Sequence, residues 1–532
     1  MKKIIFTFLF FNFNFLITTA QPQFQKTIGG TNHDCAYSII QTTDGGFALA
    51  GYTYSFAAGY QDMYIVKLSS TGAIQWTRTV GGTGNDLALS IIQTTDGGYA
   101  TVGYTNSFGT GGYDFFIVKL DANGVLQWCR IIDRASDDSG WSIIQTADGG
   151  FVIAGLSATG GVFTSDVFIV KLNMNGTFQW SKTYGGSEDE VVFSIIQTSD
   201  GSLIAAGYTD SFGLGGNNFY ILKLDTTGTL QWSRTVGGTG PNGQAYSIIQ
   251  TTDGGFAIAG VTEAFGAGSY DMHIVKLSSS GTLQWTRTAG GSSEDCAYSI
   301  VQTPDGGYIA TGYTTSFGVS DCYTVKLNSS GVPQWSKIYG GSGTEVSRSI
   351  IKATGGGFVI AGESNSFGAG GDDFYIVKID SLGNTCGYTS LPSTISGTGG
   401  TLGTPNTTVS SASPTIISPS PVIGSGGILL TLCVTGIEPL SNWIPLSCEL
   451  YQNFPNPFNP LSKIRFDISK KGNVKIRVYD IAGQEIETLI NQQLLAGTYE
   501  VPFDGSNFAS GVYFYKLETA EFTQTRKMVL LK

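Results

Sequence analysis

Charge is scarce in this chain. Asp, Glu, Lys and Arg together make up 13% of the 532 residues, against roughly 25% in typical globular domains. The shortfall is filled by Thr, Ser, Gly, Ile, Val and aromatics, a strand-and-turn composition. What charge remains is acidic, with a net value of -11. That sign excludes nucleic acid and anionic membrane surfaces as partners, since both need a basic footprint. Histidine is almost absent: His33 and His273 are the only two, and neither accompanies a Ser or Cys nucleophile pattern. Phosphate-loop and HExxH patterns are missing as well. None of the seven cysteines shows CxxC spacing, so zinc is not indicated. Beyond the N-terminus there is no apolar run of about 18 residues that could cross a membrane as a helix.

The N-terminus itself reads as a secretory signal. Lys2 and Lys3 precede an apolar run from Ile4 to Ile17, and Thr18-Thr19-Ala20 offers a small-residue cleavage site. The expected mature chain begins at Gln21, outside the cytoplasm. In such a compartment an odd number of cysteines leaves one unpaired. Cys386, Cys433 and Cys448 are the candidates for a bridge. Cys35 and Cys296 fill the same slot of two units that are not adjacent, so a bond between them is not expected.

What the sequence has in abundance is repetition. Ser90-Ile91-Ile92-Gln93-Thr94-Thr95-Asp96-Gly97-Gly98-Tyr99 recurs, with changes, from Ser38, Ser142, Ser194, Ser247, Ser299 and Ser349. A Trp closes the unit at positions 76, 128, 180, 232, 285 and 335, spaced by 50 to 53 residues, a length that suits propeller blades. Each unit reads as four strands: Ser-Ile-Ile, a return strand after Asp-Gly-Gly, a third after a longer loop, and a fourth containing the Trp. A Gly follows a small residue in every second strand (Gly51, Gly103, Gly155, Gly207, Gly260, Gly312, Gly362), as crowding near an axis would favour. The seventh unit lacks its Gln-Trp strand. Gln23-Phe24-Gln25-Lys26-Thr27-Ile28-Gly29-Gly30 aligns with Gln75 to Gly82, so the N-terminus is expected to complete the last blade and remove two open sheet edges. The predicted fold is an all-β, seven-bladed propeller over residues 21–388, closed by the N-terminal strand.

Candidate sites follow from the repeat and from its interruptions. An acidic residue recurs before each Ser-Ile-Ile strand, at Asp34, Asp86, Asp138, Glu190, Asp295 and Glu345, with Asn242 in the fifth unit. A ring of carboxylates at a channel mouth could hold a hard cation such as Ca2+, or each could hydrogen-bond backbone N–H groups locally. A second set (Asp62, Asp114, Asp166, Asp271, Asp321, Asp373) and a Lys in every third strand call for pairing, with either acidic set as the partner of the Lys. The loop residues Phe56, Phe108, Phe212, Phe317 and Phe367 could stack on sugars or plug the gap between neighbouring units. The third unit breaks the pattern with Asp133, Arg134, Asp137, Asp138 and Trp141. Carboxylates, a guanidinium and an indole at one point of the rim could recognise a glycan, or hydrolyse one through Asp137 and Asp138.

After Tyr388 the composition shifts to Ser, Thr, Gly and Pro, and residues 389–447 read as a linker. The tail, 448–532, regains a strand rhythm and reads as a small β-sandwich. It carries Tyr451-Gln452-Asn453-Phe454-Pro455-Asn456-Pro457-Phe458-Asn459-Pro460, then Val478-Tyr479-Asp480 with Gly483, Ser510-Gly511-Val512-Tyr513-Phe514, and Lys527-Met528-Val529-Leu530-Leu531-Lys532. In order and content these motifs resemble the type A C-terminal sorting domain of type IX secretion cargo, and the tail is also similar to the related flagellar-hook-cap immunoglobulin-like domain. The first resemblance implies a Bacteroidota-type bacterium, the type IX machinery as a partner, and a secreted or outer-membrane-surface destination. The leading functional expectation is a non-catalytic binding or adhesion propeller for glycan or protein, without a cofactor. A carbohydrate-active enzyme and a purely structural surface component are the alternatives.

Overall fold

The computed structural model describes residues 23–134, 137–158, 164–387, 447–494, 496–505 and 508–531, with Pro392, Pro445 and the short strands given below between 389 and 434. The signal segment and the cleavage point expected at Gln21 lie outside the described residues. Among the described residues everything regular is β, and the repeat region forms seven antiparallel sheets. In the first, Asp34–Gln41, Phe47–Thr53, Asp62–Leu68 and Ile74–Gly81 lie side by side in chain order. The other six repeat this arrangement, giving a propeller-like set of units.

The seven sheets close on themselves. The Ser side chain of each Ser-Ile-Ile strand accepts a hydrogen bond from an Ile N–H of the following sheet, from Ile91 to Ser38 round to Ile39 on Ser349, at 3.2–3.4 Å throughout. A second cycle runs through the turns, where Gln93 Oε1 accepts from Thr43 N at 2.8 Å and Gln41 Oε1 from Thr354 N at 2.7 Å. It is interrupted once, between the sixth and seventh sheets. There the donor position is Pro304, which has no N–H, and the acceptor position is Lys352. Apolar side chains of consecutive sheets pack into shared cores, and one such core joins Phe47 and Tyr64 of the first sheet to Val359 and Phe374 of the seventh.

The closing strand is where the sequence places it. Phe24–Gly29 pairs with Asp373–Ile379, with Thr27 opposite Tyr375. Its side chains imitate the fourth strands of the other sheets. Gly124, with φ near +75°, packs on the Trp76 ring, and Gly72 packs likewise on Phe24. Arg78 Nε donates to Gly124 O at 2.8 Å, and Lys26 Nζ to Gly72 O at 3.0 Å.

The expected linker is not a spacer. Seven short strands within it each add a fifth member to a sheet. Thr389–Ser390 pairs with the sixth sheet, Ile395–Gly397 with the fifth, Thr401–Gly403 with the fourth and Thr408–Ser411 with the third. Thr415–Ile417 then joins the second, Val422–Gly424 the first and Ile428–Val434 the closing strand. The chain thus retraces the ring in reverse, antiparallel to each outer strand, and covers part of the outer edge of every sheet. Cys386, where this strap leaves the ring, is disulfide-bonded. Cys35, Cys129, Cys296, Cys322 and Cys448 are free, and the side chain of Cys433 lies outside the described residues. An unpaired edge is a template for another chain. Replacing residues 389–434 by a Gly-Ser linker of equal length should therefore turn a monomer into concentration-dependent oligomers by light scattering. A variant that stays monomeric at 100-fold dilution and concentration alike would show the strap to be dispensable.

The tail folds around its own core, which includes Phe458, Phe466, Ile476, Tyr515 and Leu530. One sheet contains Glu449–Leu450, Leu461–Ile468 and Gly497–Asp504. The other contains Glu485–Leu494, Gly472–Tyr479, Gly511–Glu518 and Thr523–Leu530.

Candidate ligand site on the ring axis

The recurring acidic residues are anchors, each within its own unit. Asp34, Asp86, Asp138, Glu190, Asp295 and Glu345 are all fully buried. Asp34 Oδ2 accepts from Gly30 N at 2.8 Å and Ser55 Oγ at 2.7 Å. Asp86 does the same with Gly82 and Ser107, and Asp295 with Gly291 and Ser316. Each therefore ties down the crossing from one sheet to the next. Among the described residues, no three His, Cys, Asp or Glu side chains converge where a metal ion could sit. The proposed Ca2+ set is thus six separate anchors. In the fifth unit the register places Gly243, not Asn242, at the anchor position.

The second acidic set meets the first at the junctions. Asp62 lies against Asp86 beside Gly81, where any Cβ would strike both carboxyl groups. At Gly81 the two acids fill the space a side chain would take. Burial pushes Asp62 up to about 6, with the Asp86 charge adding to it; burial likewise takes Asp321 and Asp373 to about 6, with Glu345 and Asp34 as their respective neighbours. Asp62 and Asp373 each keep one buried carboxyl oxygen without a donor, whereas Thr105 and Thr314 hydrogen-bond Asp86 and Asp295. Where the anchor is Gly243, the opposing residue is Asn218, so the pair is altered on both sides together.

The third sheet's departures do not form one pocket. Asp133 occupies the junction glycine's place, is buried, and accepts from Thr110 N at 3.0 Å and Oγ1 at 2.8 Å. With Asp138 opposite, it adds to the effect of burial in raising Asp114 to about 8. Arg134 donates to Ser157 Oγ at 2.8 Å and lies over the Phe168 ring. Asp137 is exposed and accepts from Tyr113 N at 2.9 Å, whereas Asp138 is wholly enclosed. The two carboxylates considered as a hydrolytic pair thus share no cavity. Part of the rewritten loop, residues 159–163, lies outside the described residues.

Neither acidic set neutralises the strand lysines. Lys67, Lys119, Lys171, Lys223, Lys276 and Lys326 pair with the Asp of the Asp-Gly-Gly turn in their own unit, at 2.6–3.0 Å. Against the cost of burial, the Lys67 and Thr42 hydrogen bonds bring Asp44 down to about 2. The seventh unit has Gly355 where this Asp would stand, and burial lowers Lys378 to about 8. The loop phenylalanines are plugs. Phe56 packs on Tyr64 at 5.8 Å and against Gly30, and the equivalent residues repeat this.

One position takes no part in the strand ladder. Every inner strand carries a bulge just before its Ser, leaving one residue without a ladder partner: Tyr37, Leu89, Trp141, Phe193, Tyr246, Tyr298 and Arg348. A bulge re-aims the side chain it releases. It also accounts for the second-strand glycines, because at Gly51 a Cβ would strike the Cys35 carbonyl. Backbone approach, rather than crowding at the axis, demands that glycine.

The released side chains meet as a belt around the axis. Ring centroids are 4.9 Å apart for Trp141–Phe193, 5.0 Å for Phe193–Tyr246 and 4.9 Å for Tyr246–Tyr298. The Arg348 guanidinium then lies 4.8 Å from the Tyr298 ring and 5.1 Å from Tyr37. It donates to Glu363 at 2.9 Å, and Glu363 also accepts from the Cys35 thiol. Although burial opposes the charge, Glu363 holds Arg348 well above its ordinary pKa. On the neighbouring second strands, Tyr52, Tyr208 and Tyr313 pack on the belt at 5.9–6.1 Å. The belt aromatics are half-buried. Of these residues, sequence reasoning singled out Trp141 alone. The available signal was a residue that changes from Tyr to Leu, Trp, Phe and Arg immediately before an almost invariant Ser-Ile.

A separate cleft of about 390 Å³ lies on the tail, lined by Tyr479, Ile481, Phe514 and Lys516 among others; none of the predicted site residues borders it.

Comparison with known proteins agrees with this division. The family model of the secretion system C-terminal sorting domain matches residues 452–531. The model of a beta-propeller domain of unknown function (DUF5122) matches residues 198–230. No curated protein matches the chain. Among solved structures, Sqt1 from Chaetomium thermophilum aligns at 13% identity over 69% of this chain and 86% of its own, with a TM-score of 0.39. PorZ, a surface component of the type IX secretion system of Porphyromonas gingivalis, aligns at 11% identity over 95% and 60%, with a TM-score of 0.38. The tail and the repeats together make this chain a cargo of the type IX secretion system that carries propeller repeats and is secreted or attached at the outer-membrane surface.

Proposed function

We propose that the ring is a seven-bladed β-propeller, that the tail is an immunoglobulin-like sandwich, and that the exported protein is a non-catalytic binding module whose ligand contacts the axial belt. The observation that carries this reading is variation among equivalent positions. Residues that the scaffold needs recur in nearly every unit: the Ser that bridges sheets, the Gly opposite the bulge, the Lys paired with the turn. The bulge residue has no ladder partner and makes no polar contact that repeats from unit to unit, yet five of its seven instances are aromatic and one is Arg. Aromatic and arginine side chains that are half-exposed and clustered are the usual anchors of recognition surfaces. Against catalysis stands the separation of Asp137 from Asp138, one exposed and one enclosed, where a glycosidase needs two carboxyl groups facing one pocket.

The reading is tested by screening the secreted protein against glycan and protein libraries, then repeating the positive interactions with Trp141→Ala. Loss of the indole should weaken binding by about 10-fold or more, the equivalent of roughly 1.4 kcal/mol. Ligands that bind the variant as tightly as the parent would place the site elsewhere.

A further inference from the structure

We infer that Cys386 is bonded to Cys433, and that this bond buckles the strap and the N-terminal strand onto the ring. The chain has seven cysteines. Cys35, Cys129, Cys296, Cys322 and Cys448 are free, and Cys386 is disulfide-bonded. One sulfur is left to be its partner, that of Cys433. The backbone brings the two residues to the same place. Cys386 Sγ lies 4.0 Å from Gln23 O, at the entry of the closing strand. Cys433 stands opposite Gln25 in the ladder between that strand and the end of the strap. Cys448, the third cysteine of this region, sits instead beside Ser469 Oγ at 3.4 Å.

The seventh sheet gains most from such a fastening. Each of the other six draws four strands from one continuous stretch of chain. The seventh is assembled from three separate pieces: residues 345–379, Phe24–Gly29 and Ile428–Val434. A bond from 386 to 433 ties the end of the first piece to the third, with the N-terminal strand held beside both. It also closes residues 387–432, and with them the strap, into one covalent loop that serves all seven sheets. Strand ends are where local opening begins, and a cross-link at this end restricts the opened state. Forming the bond removes two protons and two electrons from the thiols, so an oxidant is needed. A protein disulfide of the exported compartment supplies it. One thiolate attacks a sulfur of the donor, the second displaces the mixed disulfide, and the donor leaves as a dithiol. Cys386 is buried in the finished ring, so the exchange takes place while the end of the strap is still loose.

The pairing is tested on the mature, tail-bearing protein. Its free thiols are alkylated in denaturant, and it is digested with thermolysin without reduction for mass spectrometry. A cross-linked peptide joining 386 to 433 is expected. An alkylated Cys433, or a bond from Cys386 to any other cysteine, would overturn the assignment. The role is read from cleavage of the folded protein. The strap contains no Lys or Arg, so thermolysin, which cuts at its Leu, Ile and Val, is the probe rather than trypsin. The double variant Cys386→Ser, Cys433→Ser should be nicked in the strap about 10-fold faster or more, because cleavage tracks the opened population, and should melt several degrees lower. Reducing the folded parent should reproduce both effects and leave the double variant unchanged, a comparison that holds even where the variant folds poorly. Equal cleavage and melting for parent, reduced parent and variant would overturn the buckle while leaving the pairing in place.

Discussion

A chain lacking residues 23–30 should not form a closed ring. The lost strand is fourth of five in the seventh sheet, flanked by Asp373–Ile379 on one side and Ile428–Val434 on the other. Its removal opens two edges and releases the end of the strap. It also removes Phe24 and Ile28, both fully buried. Truncating one such side chain costs about 2–5 kcal/mol, so the pair accounts for about 4–10 of the roughly 5–15 kcal/mol that hold a domain folded. The deletion product should appear as oligomers or insoluble protein, with no cooperative melting transition. The milder Phe24→Ala should still fold, melting several degrees lower, because Gly72 and the Lys26 stem lose the ring they pack on. A deletion product that melts like the parent would mean the seventh sheet is complete without its N-terminal strand.

That strand was legible because sequence and geometry give the same signal. Gln23-Phe24 stands where each earlier unit has Gln-Trp, and the last unit is one strand short. The strap was not legible by the same means. Its strands are two to seven residues long, too short for alternation to register, and their Ser, Thr, Gly and Pro content matches that of a spacer. A signal was nevertheless present. The strap strands begin at 389, 395, 401, 408, 415, 422 and 428. The seven starts, six or seven residues apart and each on Thr, Ile or Val, are as numerous as the sheets they serve. At about 3.3 Å per extended residue, such a step reaches at most about 20–23 Å. The candidate site was obscured for the opposite reason. The acidic residues attracted attention by recurring, and recurrence is what a scaffold requirement produces. The belt residues differ from unit to unit and looked like drift. The lysines show the limit of pairing rules: either acidic set was a plausible partner by type, but only the turn carboxylates lie within reach.

The junction carboxyl groups give the ring a stability maximum in mild acid. For an acid whose folded pKa is raised, the native state holds more protons than the unfolded state. Stability then falls as pH rises above the unfolded value, until the folded pKa is passed. Asp62, Asp138, Asp321 and Asp373, at about 6, should weaken the ring between about pH 4 and 6. Asp114, at about 8, extends the decline to neutrality and beyond. Between pH 5 and 7 the carboxyl cluster around Asp114 removes roughly 2–3 kcal/mol, which at about 2–4 °C per kcal/mol is a drop of several degrees in melting temperature. The turn carboxylates act in the other direction. Asp44, Asp96, Asp148, Asp253 and Asp305 are held near 2, and their contribution is present above about pH 4 and lost as they protonate below it. Melting temperature plotted against pH should therefore peak between about 4 and 5, and Asp114→Asn should flatten its neutral limb while leaving the acid limb in place. The exchange has a precedent within the chain, since Asn218 already stands at the equivalent position of the fourth unit, with Gly243 opposite. A profile that rises steadily to pH 8, with Asp114→Asn indistinguishable from the parent, would mean that the facing carboxyl groups are charged and compensated in a way this packing does not provide.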